Sequence, residues 1–172
     1  MEFVVLVDRE DKETGTMEKQ AAHLKGALHR AISVFIFNSK GELLLQQRAA
    51  GKYHSANLWT NTCCSHPRPG EEVHGAAVRR LYEEMGMKCD LKKQFSFIYE
   101  APLDNNITEH EFDHVFTGIT DELPTPDPLE VAAWKYISTD ELATDIKAHP
   151  ERYTAWFKIC IERWSNELFG NK

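Results

Sequence analysis

The alternation of apolar and polar positions divides the chain into short extended runs, one amphipathic helix near the middle and two helices at the end. Residues 3–7 read as a short strand, and the polar residues 8–15 as a turn leading into a short helix over 17–23. An Ile-, Val- and Phe-rich run at 28–37, the turn Asn38-Ser39-Lys40-Gly41 and a second apolar run at 42–48 predict a hairpin. Residues 58–66 read as extended, and Pro67 and Pro69 forbid a ladder beyond them. Between 72 and 85, Val73, Ala76, Ala77, Leu81 and Met85 recur at helical spacing, with Gly86 placed to end the helix. Strands follow at 95–100 and 109–119, separated by a turn at 102–106, and another at 131–137 after the bend at 124–128. Thr139, followed by Asp140 and Glu141, is placed to cap a helix toward His149-Pro150, and 152–168 carries a second, amphipathic helix. No repeat or linker interrupts the pattern. It predicts one α/β domain over 1–172, a mixed sheet covered by helices.

Composition narrows the function classes. With 20 basic and 27 acidic residues the net charge is -7, which argues against an electrostatic grip on nucleic acid or an anionic membrane. No apolar run approaches the ~18 residues needed to cross a bilayer, and no cationic head precedes the first apolar stretch. Of Cys63, Cys64, Cys89 and Cys160 only the first two are close, and adjacent residues pair awkwardly, so reduced thiols in the cytoplasm are expected.

Two clusters carry candidate chemistry. In Trp59-Thr60-Asn61-Thr62-Cys63-Cys64-Ser65-His66-Pro67 a period of two puts Cys64 and His66 on one face and Cys63 on the other, where it reads as a core hydrophobe. In Glu109-His110-Glu111-Phe112-Asp113-His114 the two glutamates share a face, with His110, Phe112 and His114 opposite. Adjacent carboxylates repel, so the pair needs a cation or a proton, unless it lies on a water-facing edge where both are merely solvated. His23 and His29, six residues apart with Gly26 between them, can join a common ion only through a turn. With His66, Glu109 and Glu111 they make three imidazoles and two carboxylates, a set suited to Mn²⁺ or Mg²⁺. The helix over 72–85 carries Arg79, Arg80, Glu83 and Glu84, either a solvated salt-bridged face or carboxylates for Mg²⁺ bridged to phosphate. Lys19, Arg48 and Lys52 are further candidates for holding an anion.

These residues resemble a known family. The run 59–67, the segment 108–116 and the helix ending Glu84-Met85-Gly86 are similar to the type 1 isopentenyl diphosphate isomerases of the Nudix-like superfamily, over nearly the whole chain. Anchoring the Nudix signature on Gly86 puts Glu71, Arg79, Leu81, Glu83 and Glu84 in register. Ser65 stands where the signature has its first Gly, and Arg80 where it has a metal-binding Glu. The isomerases share that departure, and it weakens the rival reading of a Nudix hydrolase. A second rival is a non-catalytic binding module with a structural metal.

The resemblance implies a Nudix-like α/β/α sandwich with a mixed central sheet that interconverts isopentenyl and dimethylallyl diphosphate in isoprenoid biosynthesis. It implies metal binding by His23, His29, His66, Glu109 and Glu111, and Mg²⁺ binding with the diphosphate by Glu84. Cys64 and Glu111 would be the catalytic pair, with Tyr99 as the proton partner of Glu111. Lys19, Arg48, Lys52 and Arg80 would surround the diphosphate. A carbocation between the two isomers calls for an aromatic face, for which Trp156 is the first candidate and Trp59 the second. The expected partner is the small prenyl diphosphate alone, on a monomer or homodimer.

Overall fold

The computed structural model describes residues 2–170. β1 (Phe3–Val7) and β2 (Glu13–Glu18) form an antiparallel hairpin, and α1 (Lys19–Lys25) follows directly. β3 (His29–Phe37) and β4 (Leu43–Arg48) come next, then the short β5 (Trp59–Thr60) and β6 (Cys63–Ser65). After α2 (Val73–Met85) come β7 (Lys92–Pro102), β8 (Thr108–Ile119) and β9 (Val131–Ile137). α3 (Thr139–Ala148), a 3-10 turn (Pro150–Arg152) and α4 (Ala155–Phe169) end the fold.

The strands join one mixed sheet. β3 runs parallel to β8 from His29 opposite Glu111 to Phe37 opposite Ile119, and β7 lies antiparallel on the far side of β8. Alternation along β3 and β4 feeds two cores. Ile32, Val34, Ile36 and Leu44 pack with Ala77, Leu81 and Met85 of α2. Phe35, Leu43 and Leu45 pack with Leu142 of α3 and Phe157 of α4 on the opposite face. The layers are therefore helix, sheet, helix, as expected of the α/β/α sandwich.

β3 and β4 pair only at Phe37 and Leu43, beyond which they part. Asn61 and Thr62 fill the fork. The Thr62 hydroxyl donates to Leu44 O (2.6 Å) and accepts from Ile36 N (2.9 Å), while Asn61 Nδ2 donates to Val34 O (3.2 Å) and Cys63 O (2.8 Å). These bonds satisfy carbonyls and an amide that a closed ladder would have paired. They also split the single extended run expected over 58–66 into β5 and β6.

Four other boundaries differ from expectation. The helix expected over 17–23 starts at Lys19, because Glu18 is extended and its carboxylate caps Ala21 N (2.9 Å), while Met17 pairs with Val4. Residues 13–15, expected to belong to a turn, and 17–18, expected to open the helix, form β2 instead; no residue of the strand is fully buried, so burial imposed no apolar alternation. The cap of α3 is Ser138, in a reciprocal box with Glu141, and Thr139 is the first helical residue. α4 begins at Ala155 because the 3-10 turn at Pro150 precedes it. Among the described residues no helix is long and apolar enough to cross a membrane.

Gly86 ends α2 in a left-handed conformation (φ 65°), and an added Cβ would lie 2.4 Å from the Thr125 carbonyl oxygen. Gly86→Ala is expected to cost about 1–3 kcal/mol of stability, measured by urea unfolding; an unchanged midpoint would remove this explanation of the glycine.

Candidate active site

Gly26, left-handed at φ 59°, closes α1 and turns the chain so that His23 and His29 meet; their rings lie 4.9 Å apart, edge to face. The parallel register puts Glu111 beside His29, with Glu109 two residues earlier on the same face of β8. His66 follows directly on β6, which lies on the other side of β3. One ligand atom from each of His23, His29, His66, Glu109 and Glu111 falls within 4.8 Å of the others, and all five residues are buried. Glu84 stands outside this group. Its oxygens accept from Arg80 Nη2 (2.6 Å) and Gln46 Nε2 (2.9 Å), on the wall of the same cavity.

The donor set fits a divalent cation. His29 Nδ1 donates to Ala27 O (2.8 Å), which leaves Nε2 as a lone pair 3.2 Å from His66 Nε2 and 3.5 Å from Glu111 Oε1. His66 Nε2 is also 2.9 Å from Glu111 Oε1. His23 Nε2 and Glu109 Oε2 are buried without a hydrogen-bond partner, although only 3.2 Å apart. Lone pairs converging in this way are satisfied together by a shared cation better than by protons.

Electrostatics distinguishes the members of the cluster: burial works against charge on His29, but Glu111 outweighs it and raises its pKa. Burial lowers His66 to a pKa of about 4, despite the opposing pull of Glu111, so its ring is a neutral ligand. Burial also works against charge on Glu109, but His23 and His54 outweigh it and hold the carboxyl well below the usual range. On Glu111, burial and Glu109 push upward, while His29 and His66 bring the net value down. Both carboxylates are ionised despite their proximity.

A partly open cavity of about 50 Å³ adjoins this cluster, with Cys64, Glu111, Tyr99 and Trp156 in its lining. Burial pushes the Cys64 thiol up to about 12, against the attraction of Arg48, so it carries its proton at neutral pH. The Tyr99 hydroxyl donates to Glu111 Oε2 (2.5 Å), and burial together with Glu111 raises it well above the ordinary phenol value. Cys63, adjacent in sequence, points to the α2 core and is fully buried.

Four cations face the same cavity from separate elements. Lys19 contacts Glu2 (3.0 Å), Lys52 contacts Glu130 (2.6 Å), and Arg80 contacts both Glu83 (2.8 Å) and Glu84 (2.6 Å). Arg48 donates to His54 O (3.2 Å) and lies 5.2 Å from the centre of the Trp156 ring. Buried Nε atoms of Arg48 and Arg80 are unpartnered. Trp59 lies elsewhere, packed beneath Lys135.

The NUDIX domain model matches residues 27–157. A Pectobacterium atrosepticum isopentenyl-diphosphate Delta-isomerase is 57% identical over 160 residues, covering 93% of this chain and 89% of that protein. The chain belongs to this isomerase group of the Nudix family. A Serratia proteamaculans isopentenyl-diphosphate Delta-isomerase is 47% identical over 168 residues, 97% of this chain and 94% of that one. Solved structures share the fold at lower identity. A MutT protein from Methanosarcina mazei has a TM-score of 0.67 at 20% identity, covering 81% of this chain and 94% of its own. For a Deinococcus radiodurans protein the values are 0.72, 21%, 86% and 90%.

On α2, Arg80 stands in place of one signature carboxylate, and the carboxylates that remain are held in ion pairs. Arg79 makes two bonds to Glu71 (2.6 and 2.7 Å) and one to Glu83 (2.9 Å), and Arg80 holds Glu83 and Glu84. Sequence reasoning missed several polar neighbours of the site. Tyr53 OH lies 2.5 Å from His23 Nδ1, and His54 Nε2 lies 3.1 Å from Glu109 Oε1. Asp113 accepts from Ser33 Oγ (2.7 Å), and burial with Glu111 nearby pushes it well above the usual carboxyl range. Asp113 continues the Glu109 and Glu111 alternation, and the Lys52-Tyr53-His54 run is a dense polar patch between apolar strands; both signals were present in the sequence.

Glu71 is held below the usual carboxyl range chiefly by Arg79. A carboxyl depressed on folding stabilises above its unfolded pKa of about 4.3, and the contribution is lost as pH falls through the folded value. The stability gap between the parent and Glu71→Gln should therefore be larger at pH 7 than at pH 3, read by urea unfolding. A gap independent of pH would count against the pairing.

Proposed function

We propose that this chain interconverts isopentenyl diphosphate and dimethylallyl diphosphate by adding a proton to the alkene and removing one from the neighbouring carbon. The observation that carries the reading is the meeting of a protonated thiol, Cys64, and an ionised carboxylate, Glu111, in the lining of one cavity. Shifting the double bond needs an acid and a base at two carbons of one flat group, because protonation of the terminal carbon leaves a tertiary cation until the second proton departs. Thiol and carboxyl supply the pair. The reaction is reversible, so each takes both parts according to direction.

Tyr99 holds a proton on Glu111 Oε2 and steadies the carboxylate while Oε1 faces His29 and His66. His23, His29, His66, Glu109 and Glu111 would hold Mg²⁺ or Mn²⁺, since mixed imidazole and carboxylate donors suit a six-coordinate ion. When bound, the ion supplies a fixed positive charge that keeps Glu111 acidic. Glu84 would take part in a second site, where diphosphate oxygens complete the coordination of Mg²⁺. Lys19, Arg48, Lys52 and Arg80 would bind the diphosphate and anchor the reacting carbons beside Cys64. Trp156 in the cavity lining offers an aromatic face worth ~0.5 to 2 kcal/mol to positive charge.

Incubation with isopentenyl diphosphate and Mg²⁺ should yield dimethylallyl diphosphate by NMR without release of phosphate. Cys64→Ala and Glu111→Gln should each lower kcat about 10²–10⁴-fold while their circular-dichroism spectra match the parent. Phosphate release without isomer formation would favour a Nudix hydrolase; unaltered turnover in both variants would remove the catalytic pair.

A further inference from the structure

The loop between β4 and β5 runs over residues 49–58 and closes at its base through Arg48 N to Leu58 O (2.9 Å) and Asn57 N to Arg48 O (3.0 Å). Three consecutive residues on it, Lys52, Tyr53 and His54, form part of the wall between the cavity and an outer groove. Lys52 reaches Glu130 at the cationic end. The next two turn to the five-residue cluster. Tyr53 OH meets His23 Nδ1 at 2.5 Å, and His54 Nε2 meets Glu109 Oε1 at 3.1 Å.

Both contacts fall on the side of the ligand that faces away from the cluster. His23 presents Nε2, and Glu109 presents Oε2, to each other at 3.2 Å, and both atoms are buried without hydrogen-bond partners. The opposite atoms, Nδ1 and Oε1, are those the loop engages. A phenol accepts as well as donates, so Tyr53 can take the Nδ1 proton and leave Nε2 with its lone pair. His54 Nδ1 lies 3.3 Å from Ser55 Oγ, which can donate to it; Nε2 then carries the ring proton toward Glu109. His54 is itself buried to 7% side-chain exposure, and its ring stands edge-on to Trp156 at 5.8 Å.

The backbone of the loop is held under strain at this point. Ser55, directly after His54, is left-handed at φ 50°, and Asn57 follows at φ 63°. A non-glycine residue in that region costs about 1–3 kcal/mol and persists only where its surroundings determine it. Arg48 Nη2 to His54 O (3.2 Å) and Gln47 Nε2 to Asn57 O (3.0 Å) hold the backbone here, and the bonds of Tyr53 and His54 tie the same stretch to the cluster.

We propose that Tyr53 and His54 are positioning residues that clasp His23 and Glu109 from the outside and set their ligand atoms for a divalent cation. The clasp rests on the reading of the five-residue cluster as a metal centre. It joins that centre to the diphosphate end through the adjoining Lys52, so that ordering one end of the loop orders the other.

Mn²⁺ titration of the full chain, followed by the electron paramagnetic resonance signal of free Mn²⁺, tests this directly. Tyr53→Phe and His54→Ala should each weaken Mn²⁺ binding about 10–100-fold. His54→Gln, whose amide nitrogen can still donate to Glu109, should recover most of the loss. The melting temperature without metal should stay near that of the parent while the increase on adding Mn²⁺ shrinks. Equal Mn²⁺ affinities in the parent, Tyr53→Phe and His54→Gln, with His54→Ala either equal or unfolded, would overturn the clasp and leave the metal centre standing. A parent that binds no Mn²⁺ would overturn the metal centre and the clasp together.

Discussion

The parallel pairing of β3 with β8 is the constraint on which the site depends. It places His29 beside Glu111, and Tyr99 meets the same glutamate from β7. On the other edge of β3, antiparallel β6 sets Cys64 opposite Ser33 and leads into His66. Four strands thus deliver a thiol, a carboxylate, a phenol and an imidazole to one face. A one-residue slip of β8 would turn Glu109 and Glu111 to the opposite face of the sheet and bring His110 and Phe112 to the cavity, while moving Val115 and Phe116 out of their two cores.

Much of this was legible in the sequence because burial writes itself into local periodicity. The hairpin turn at 38–41, the helix from Val73 to Gly86 and the strand over 131–137 lie where the pattern put them. So does the division of Cys63 from Cys64, which a period of two makes unavoidable. The edge strand β2 was hidden because none of its residues is fully buried, and the break at Asn61-Thr62 because it arises from a fork between two distant strands. The loop over 49–58 carries no periodicity, and its partners His23 and Glu109 lie far along the chain in opposite directions.

Charge is balanced locally throughout the site. Lys19, Lys52 and Arg80 each have a carboxylate in contact, and Arg48 instead has a carbonyl and an indole face. An anion entering here would displace the carboxylates from Lys19, Lys52 and Arg80, whereas Arg48 has none to give up. The net attraction is therefore smaller than four positive charges imply, and part of the binding must come from strain relieved or ordering achieved elsewhere.

The pleat of β6 has one more effect. Because neighbouring side chains of a strand leave on opposite sides, the sulfur in the cavity is insulated from the sulfur next to it in the chain, which lies sealed beneath α2. A vicinal bridge between them would require the strand to abandon its pairing with β3. An oxidant that reaches the cavity consequently meets a thiol whose neighbour in the chain faces the other way and cannot bridge to it.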